Sequence, residues 1–563
     1  MRIGLVTHGG YPYAKGENRL WCERLVHGLA RHEFDVYAAS SGPEQERSGL
    51  LPLPPHARLA ATAAPWAPPE GGAMPGRRGR RRAADLLAEL LRAVCADGGT
   101  RPDGPARGAD GFAEALYGLA ELARTHGGLP AALRSEPALR AVESACRAPG
   151  AHRALGDATA ADLLRAADAL EHALRPLSFD WYQGGALDAA DLCHAVSGGP
   201  GALPGLVAKR FCGVPLLVTE YGVQVRTHHL AARRDGRGPA VRALLAAFHR
   251  RLAREVYTQA ALVTSGNTHA RRWQEQCGAD RTRLRTVHPG LAAERFAAVG
   301  EGPEGEERTL VWVGRPEPGK DLVALLHAFA EVRRAEPAAR LRLFTTPPQG
   351  GRADGPADGY LAQCRALAAQ LFPDEADGAH AVGHNPVSFE EIGSPEAPEP
   401  ADAYAAGCLV VHSSVVEGFP ATLVEAMLCG RATVSTDAGA VVEAIGGTGL
   451  VVPPRNPRAL AGACLALLRD PERRARLGAA ARARALELFT AEQNLTAFGG
   501  LYLELISHSP VRRAAEAVDA AGDPVPFAHP AESRLPGRWN GAGHVPAWAS
   551  GSDTAPDAKE VHR

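Results

Sequence analysis

Apolar and polar positions alternate along this chain with two different periods. The run RIGLVT from Arg2 to Thr7 predicts a short buried strand that ends in Gly9 and Gly10. After a turn, Asn18 to Arg31 places Trp21, Leu25, Val26 and Leu29 on one helical face, and FDVYAAS predicts the next strand. The opening is therefore a β-α-β unit whose first loop feeds a helix amino terminus, a geometry suited to phosphate. From Pro65 to about Pro176 the pattern becomes helical, with AADLLAELLRAV and GFAEALYGLAELART, and is interrupted by Pro and Gly clusters. This stretch is expected to be a helical insertion. Strands resume at DLCHAVS, PLLVTEYG, AALVTSGN and LRTVHPGL.

An acidic, Gly-rich stretch from Glu301 to Glu307 reads as a linker between a first domain, 1–300, and a second, 308–480. In the second, the runs TLVWVG, LRLFTT, CLVVHSS, ATVST and GLVVPP alternate with amphipathic segments such as DLVALLHAFAEVRR and ATLVEAMLCG. Alternation of this kind specifies parallel sheets, so the expected class is α/β with two doubly wound, Rossmann-like domains facing a cleft. A helical segment, 481–507, follows. The tail, 508–563, is rich in Pro, Gly, Ala, Ser and charge without sustained periodicity, and is expected to be disordered.

Composition narrows the function classes. A length of 563 residues suits two to four domains, and a formal net charge of −1 argues against a protein built to grip nucleic acid. The basic run GRRGRRR reads as a solvated surface loop. Ten cysteines are scattered singly, without a zinc-type pairing, and read as reduced thiols. The amino terminus resembles a strand and not a leader, and no window approaches about 18 uninterrupted apolar residues, so a cytoplasmic protein is expected.

Candidate chemistry falls where strands of such sheets end. In VGRPEPGK, Arg315 offers a forked cation and Lys320 a point cation to a diphosphate. In SSVVEGFPATLVEAML, Glu417 ends a strand, Gly418 permits close backbone approach, and Pro420 suits a first helical turn. Glu425 lies about two turns along that helix, so both carboxylates could border one cleft and accept bonds from sugar hydroxyls.

Together VGRPEPGK, EGFPATLVEAMLCGRATVSTDAG and GLVVPP resemble the donor-binding half of family-four retaining glycosyltransferases of the GT-B fold, whose hallmark is two Glu separated by seven residues. The segments THGGYPYAKGENRLWCERL and DLCHAVSGGPGALPGLVAKRFCGVPLLVTEYGVQVRTHH, with the helical insertion, are similar to the branch containing the glycosyltransferase of the Pel exopolysaccharide machinery.

The resemblance implies that Glu417 holds hydroxyls of the transferred sugar, Glu425 the nucleotide ribose, and the backbone around Gly418, Phe419 and Pro420 the remaining sugar oxygens. Arg315 and Lys320 would stabilise the leaving diphosphate, with Gly16 in the first donor-facing loop. No cofactor or metal is implied, the nucleotide sugar being a co-substrate, by analogy UDP-glucose. The partners implied are a glycan acceptor and membrane-associated polysaccharide synthase components at the inner membrane face. Two departures stand out. Glu17 replaces the second glycine of a Gly-Gly pair, and Tyr221 replaces the His of Thr-Glu-His-Gly. Tyr221 is therefore expected at the cleft, opposite Glu417, giving the sugar one hydrogen bond, with His194 and His228 as alternatives. Two other readings are a partner subunit that binds nucleotide or glycan without turnover, and a sugar-nucleotide epimerase of the same architecture. The paired Glu motif and VGRPEPGK fit the epimerase less well.

Overall fold

In the computed structural model, residues 1–16, 18–67, 76–95, 107–182, 184–231, 236–346, 356–373 and 385–508 are described. Glu17 and the tail 508–563 beyond its first residue lie outside them.

The first sheet has seven parallel strands: β1 (Arg2–His8), β2 (Glu33–Ala39), β3 (Ala57–Ala63), β4 (Leu192–Ala195), β5 (Leu216–Glu220), β6 (Leu262–Ser265) and β7 (Leu284–Thr286). Their order is β3-β2-β1-β4-β5-β6-β7. The second sheet has six: β8 (Glu306–Gly314), β9 (Arg340–Thr345), β10 (Val387–Glu391), β11 (Gly407–His412), β12 (Ala432–Thr436) and β13 (Leu450–Val452), in the order β10-β9-β8-β11-β12-β13. Each sheet therefore reverses direction once, between β1 and β4 and between β8 and β11. Such a switch point opens a crevice at the carboxyl ends of the strands. Central strands are buried along their length because helices cover both faces; β4, β5 and β11 are examples.

The helices between β3 and β4 form a layer on one face of the first sheet. Leu86, Leu87, Leu90 and Leu91 of the helix Arg77–Cys95 meet Phe112, Leu116 and Leu119 of the helix Arg107–His126, and Phe248 of the helix Pro239–Gln259. Each such side chain stabilises the layer by about 1.5–3 kcal/mol relative to exposure. The basic run belongs to this layer and not to a loop: Arg77 to Arg82 form the first turns of the helix Arg77–Cys95. Arginine is a good helix former, and the leucine stripe that follows carries the helix back through it.

The other face of the first sheet is covered by the helix Arg19–Gly28 and by the last described helix, Ala491–His508. The chain thus leaves the second domain through the helix Pro471–Leu488 and returns to the first. Among the described residues no helix is long and apolar enough to cross a membrane.

Candidate active site

The loops after β8 and β11, neighbours in the sheet, build the site in the second domain. After β8 the chain makes a short 3-10 turn, Pro318–Lys320, and Asp321 then caps the helix Leu322–Ala335 by accepting from the Ala324 amide at 3.3 Å. The Gly319 carbonyl accepts from the amides of Val415 and Val416 at 2.9 and 3.2 Å, and Ser413 Oγ donates to the Lys320 carbonyl at 2.7 Å. These bonds strap the two loops together. Lys320 Nζ is thereby held 2.5 Å from Glu417 Oε2.

Glu417 is more heavily engaged on one oxygen than on the other. Oε2 also accepts from Ser414 Oγ at 3.1 Å and lies 3.2 Å from His412 Nε2, whereas Oε1 has the Gly418 amide at 3.2 Å. Burial opposes ionisation of this carboxyl, but the His412 hydrogen bond and the Lys320 charge outweigh it and hold it well below the usual carboxylate range. Gly439, in the loop after β12, has φ of 60°, and a side chain there would overlap the Glu417 carbonyl. The Ala440 amide donates to the Gly418 carbonyl at 3.1 Å. Three strand-end loops therefore fix the backbone at Glu417 and Gly418.

Glu425 lies in the helix Ala421–Leu428, which starts after Pro420 and buries Leu423, Val424 and Met427. Its Oε2 accepts from the Tyr404 hydroxyl at 2.8 Å, and burial pushes its carboxyl up. Arg315 is more than half exposed, with Glu317 its nearest acid at 3.9 Å. The structure thus brings Lys320 onto Glu417 and leaves Arg315 at the rim. The Phe419 ring packs toward Phe489 and His288, at centroid distances of 5.6 and 6.4 Å, so only its backbone remains for a ligand.

In the first domain, Gly16 has φ of 141°, and a side chain there would overlap the Gly9 carbonyl and the Gln45 amide. Gln45 Nε2 donates to the Lys15 carbonyl at 2.7 Å, which ties this loop down beside β1.

Tyr221 requires a correction. Its ring stands edge-on to Trp21 at 5.1 Å, within the apolar cluster under the returning helix, and its hydroxyl accepts from Asn494 Nδ2 at 2.9 Å. It is drawn into the seam between helix and sheet, and its hydroxyl is committed to Asn494 there. Trp21 and Asn494 supply the reason, since Asn494 Oδ1 also accepts from Trp21 Nε1 at 3.0 Å and Nδ2 donates to the His288 carbonyl at 2.7 Å. His194 is a core residue: wholly buried, it bridges Tyr502 and Thr219 at 2.8 and 2.7 Å, and burial lowers its pKa to about 3. His228 packs against His249 at 4.6 Å on the helix Gln224–Ala231.

Several site residues were not read from the sequence. Arg226 reaches across from the first domain, and its Nη2 donates to the Glu417 carbonyl at 2.6 Å. Glu443 of the second domain accepts from the Thr268 amide at 2.7 Å, at the start of a helix in the first. His412 had a signal, being a polar ring that ends the otherwise apolar run CLVV. Arg226 had none, because its partner is a main-chain oxygen 191 residues away. Among the described residues, the group of acids and histidines close enough to share an ion is Asp168, Glu171 and His172. It sits in the insertion, and Arg134 and Arg175 already occupy both oxygens of Glu171.

Parts of the chain match known proteins. Residues 307–470 match the family described as glycosyl transferases group 1, and residues 1–282 match a domain of unknown function, DUF3492. A D-inositol 3-phosphate glycosyltransferase of a Nocardioides species is 30% identical over 331 residues, 55% of this chain and 67% of that protein.

The chain belongs to the group 1 glycosyltransferases.

A second relative of the same name, from Rhodococcus erythropolis, is 30% identical over 49% of this chain and 60% of its own length. The chain thus spans less than two thirds of that relative. Two solved structures share the fold of this glycosyltransferase. Sucrose-phosphate synthase from Thermosynechococcus elongatus has a TM-score of 0.52 at 18% identity, covering 90% of this chain and all of that one. Anabaena HepE in complex with UDP and glucose has a TM-score of 0.51 at 15% identity, with the same coverage. The GT-B architecture is therefore that of this chain. The expected kinship with the Pel branch is not among these relatives, which bear other names.

Proposed function

We propose that this protein is a retaining, metal-independent glycosyltransferase that moves a sugar from a nucleotide sugar, UDP-glucose, to a glycan acceptor. The observation that carries the reading is the Lys320–Glu417 pair at the switch point of the second sheet, strapped between two strand-end loops. A cation and a carboxylate fixed side by side suit a donor whose diphosphate is anionic and whose sugar offers hydroxyls. Lys320 turns from Glu417 to the diphosphate, and Arg315 closes from the rim. Negative charge grows on the diphosphate as the glycosidic bond breaks, and a preorganised cation in a partly closed cleft lowers that barrier by several kcal/mol. Glu417 orients the sugar through hydroxyls, and Glu425, beside Tyr404, takes the ribose. HepE, described with UDP and glucose, shares the fold and makes UDP-glucose the first donor to try. The Pel-like segments of the first domain support an exopolysaccharide as acceptor.

The commitment of the Tyr221 hydroxyl to Asn494 favours a second reading, a nucleotide-binding partner subunit without turnover. One experiment separates the two. The purified protein is supplied with UDP-glucose and a panel of glycans and inositol phosphates, and free UDP and the anomeric configuration of the product are followed by NMR. Acceptor-dependent UDP release with retained configuration supports the transferase. UDP binding without release supports the subunit.

A further inference from the structure

We propose that His412 is a positioning residue for Glu417: it keeps the carboxylate in place when Lys320 is drawn to the donor's diphosphate, leaving Oε1 turned to the sugar. The inference rests on the donor-site reading above and adds a residue to it.

Glu417 Oε2 has three neighbours of unequal permanence. Lys320 is the nearest, at 2.5 Å, and is also the group that a diphosphate would attract. Its departure would leave a carboxylate whose side chain is only 12% exposed without its cation, an arrangement that is strongly unfavourable unless other donors remain. The donors that remain are the Gly418 amide on Oε1 at 3.2 Å and, on Oε2, Ser414 Oγ at 3.1 Å and His412 Nε2 at 3.2 Å.

His412 is built to stay. It ends β11 as a 3% exposed residue, so its ring cannot swing into solvent. Its Nδ1 lies 3.2 Å from Ser435 Oγ on the neighbouring strand β12, which fixes the ring plane. An ionised carboxylate can only accept a hydrogen bond, so Nε2 carries the proton toward Glu417 while Nδ1 meets the Ser435 hydroxyl. The titratable and charged groups facing Glu417 are Lys320 from the loop after β8, His412 from β11 and Arg226 from the first domain. Arg226 engages the main-chain oxygen of Glu417, so His412 is the ring that acts on the carboxylate itself. Because His412 and Ser414 both sit on Oε2, Oε1 keeps its free lone pair for a sugar hydroxyl.

The test separates the sugar's share of binding from the nucleotide's. UDP and UDP-glucose affinities are measured by calorimetry for the parent, His412→Phe and His412→Gln. His412→Phe should leave UDP affinity within about twofold while weakening UDP-glucose by about tenfold, the scale of one charge-assisted hydrogen bond. His412→Gln, which retains an N–H, should recover most of the difference. In turnover, His412→Phe should lower kcat more than it raises the UDP-glucose KM, and should move the acid limb of the pH profile upward, since Glu417 then protonates more readily. Equal UDP and UDP-glucose affinities in parent and His412→Phe, or parallel loss of both ligands, would overturn the positioning role. A parent that binds neither UDP nor UDP-, ADP- or GDP-glucose would overturn the donor-site reading, and this inference with it. The parent's binding therefore judges the reading, and the variants judge the inference.

Discussion

The two strand-end clusters, one per domain, have the same topology and opposite uses. In the second domain the loops after β8, β11 and β12 bond to one another and enclose a lysine, a histidine and a carboxylate. In the first, the polar groups at the ends of β4 and β5 are spent on structure: Tyr221 on Asn494, His194 on Tyr502 and Thr219, and Glu220 on the Gly198 and Gln224 amides and the Tyr257 hydroxyl. A charged group among partners that a ligand could replace marks a site, whereas a polar group whose partners are all protein marks a joint.

The largest expected effect tests the site half. Lys320→Ala should lower turnover by about 10²–10³-fold and UDP affinity by about 1.5–3 kcal/mol, as for a lost charge-assisted bond. Steady-state kinetics and calorimetry read both, and an unaltered UDP affinity would place the diphosphate elsewhere.

The joint half predicts stability defects instead. Asn494 holds Trp21, Tyr221 and the His288 carbonyl at once while only 6% exposed, so Asn494→Ala should cost about 2–3 kcal/mol in denaturant unfolding, with UDP affinity preserved.

His194 sharpens the same contrast through pH. Burial lowers the pKa of this imidazole to about 3 in the folded protein, whereas in the unfolded chain it binds a proton near the ordinary value of 6.5. The unfolded state therefore takes up more protons in that window, and stability should fall as pH drops from about 6.5. His194→Gln should flatten part of that slope in thermal melts between about pH 7 and 4, and an unchanged slope would show that His194 is not a silent core group.

Arg226 crosses between the halves. Its alanine variant should raise the donor KM by roughly 5–30-fold, about 1–2 kcal/mol for a charged donor on a carbonyl, with little change in melting temperature. The smallest effect is expected for Tyr221→Phe: about 1 kcal/mol of stability and no measurable change in UDP binding. A large loss of turnover with intact stability would return the hydroxyl to the chemistry.

The α/β architecture was legible because its signal is repetitive. Apolar runs such as LVWV and CLVV can be buried on both faces only in a parallel sheet, and the amphipathic segments between them supply the covering helices. One edge strand of each sheet escaped notice. β3, ARLAATA, is largely exposed and built of small residues, and β10, VSFEE, is half acidic, so neither carries the apolar run that marks a central strand. That Lys320 and Glu417 both lie at strand ends was legible, whereas their direct pairing depends on β8 and β11 being neighbours in the sheet. The place of Tyr221 did not follow. Strand-end position predicts that a residue lies near the crevice, but the ring's direction was decided by Trp21 and by Asn494, 273 residues later, and no local pattern encodes that contact.

The central claim is that Lys320 exchanges Glu417 for the donor's diphosphate. A crystal structure of the complex with UDP tests it most directly. The account predicts Lys320 Nζ within hydrogen-bonding distance of the β-phosphate, with Glu417 still on His412 and Ser414. Lys320 remaining 2.5 Å from Glu417 Oε2 while the diphosphate is held by other groups would contradict it.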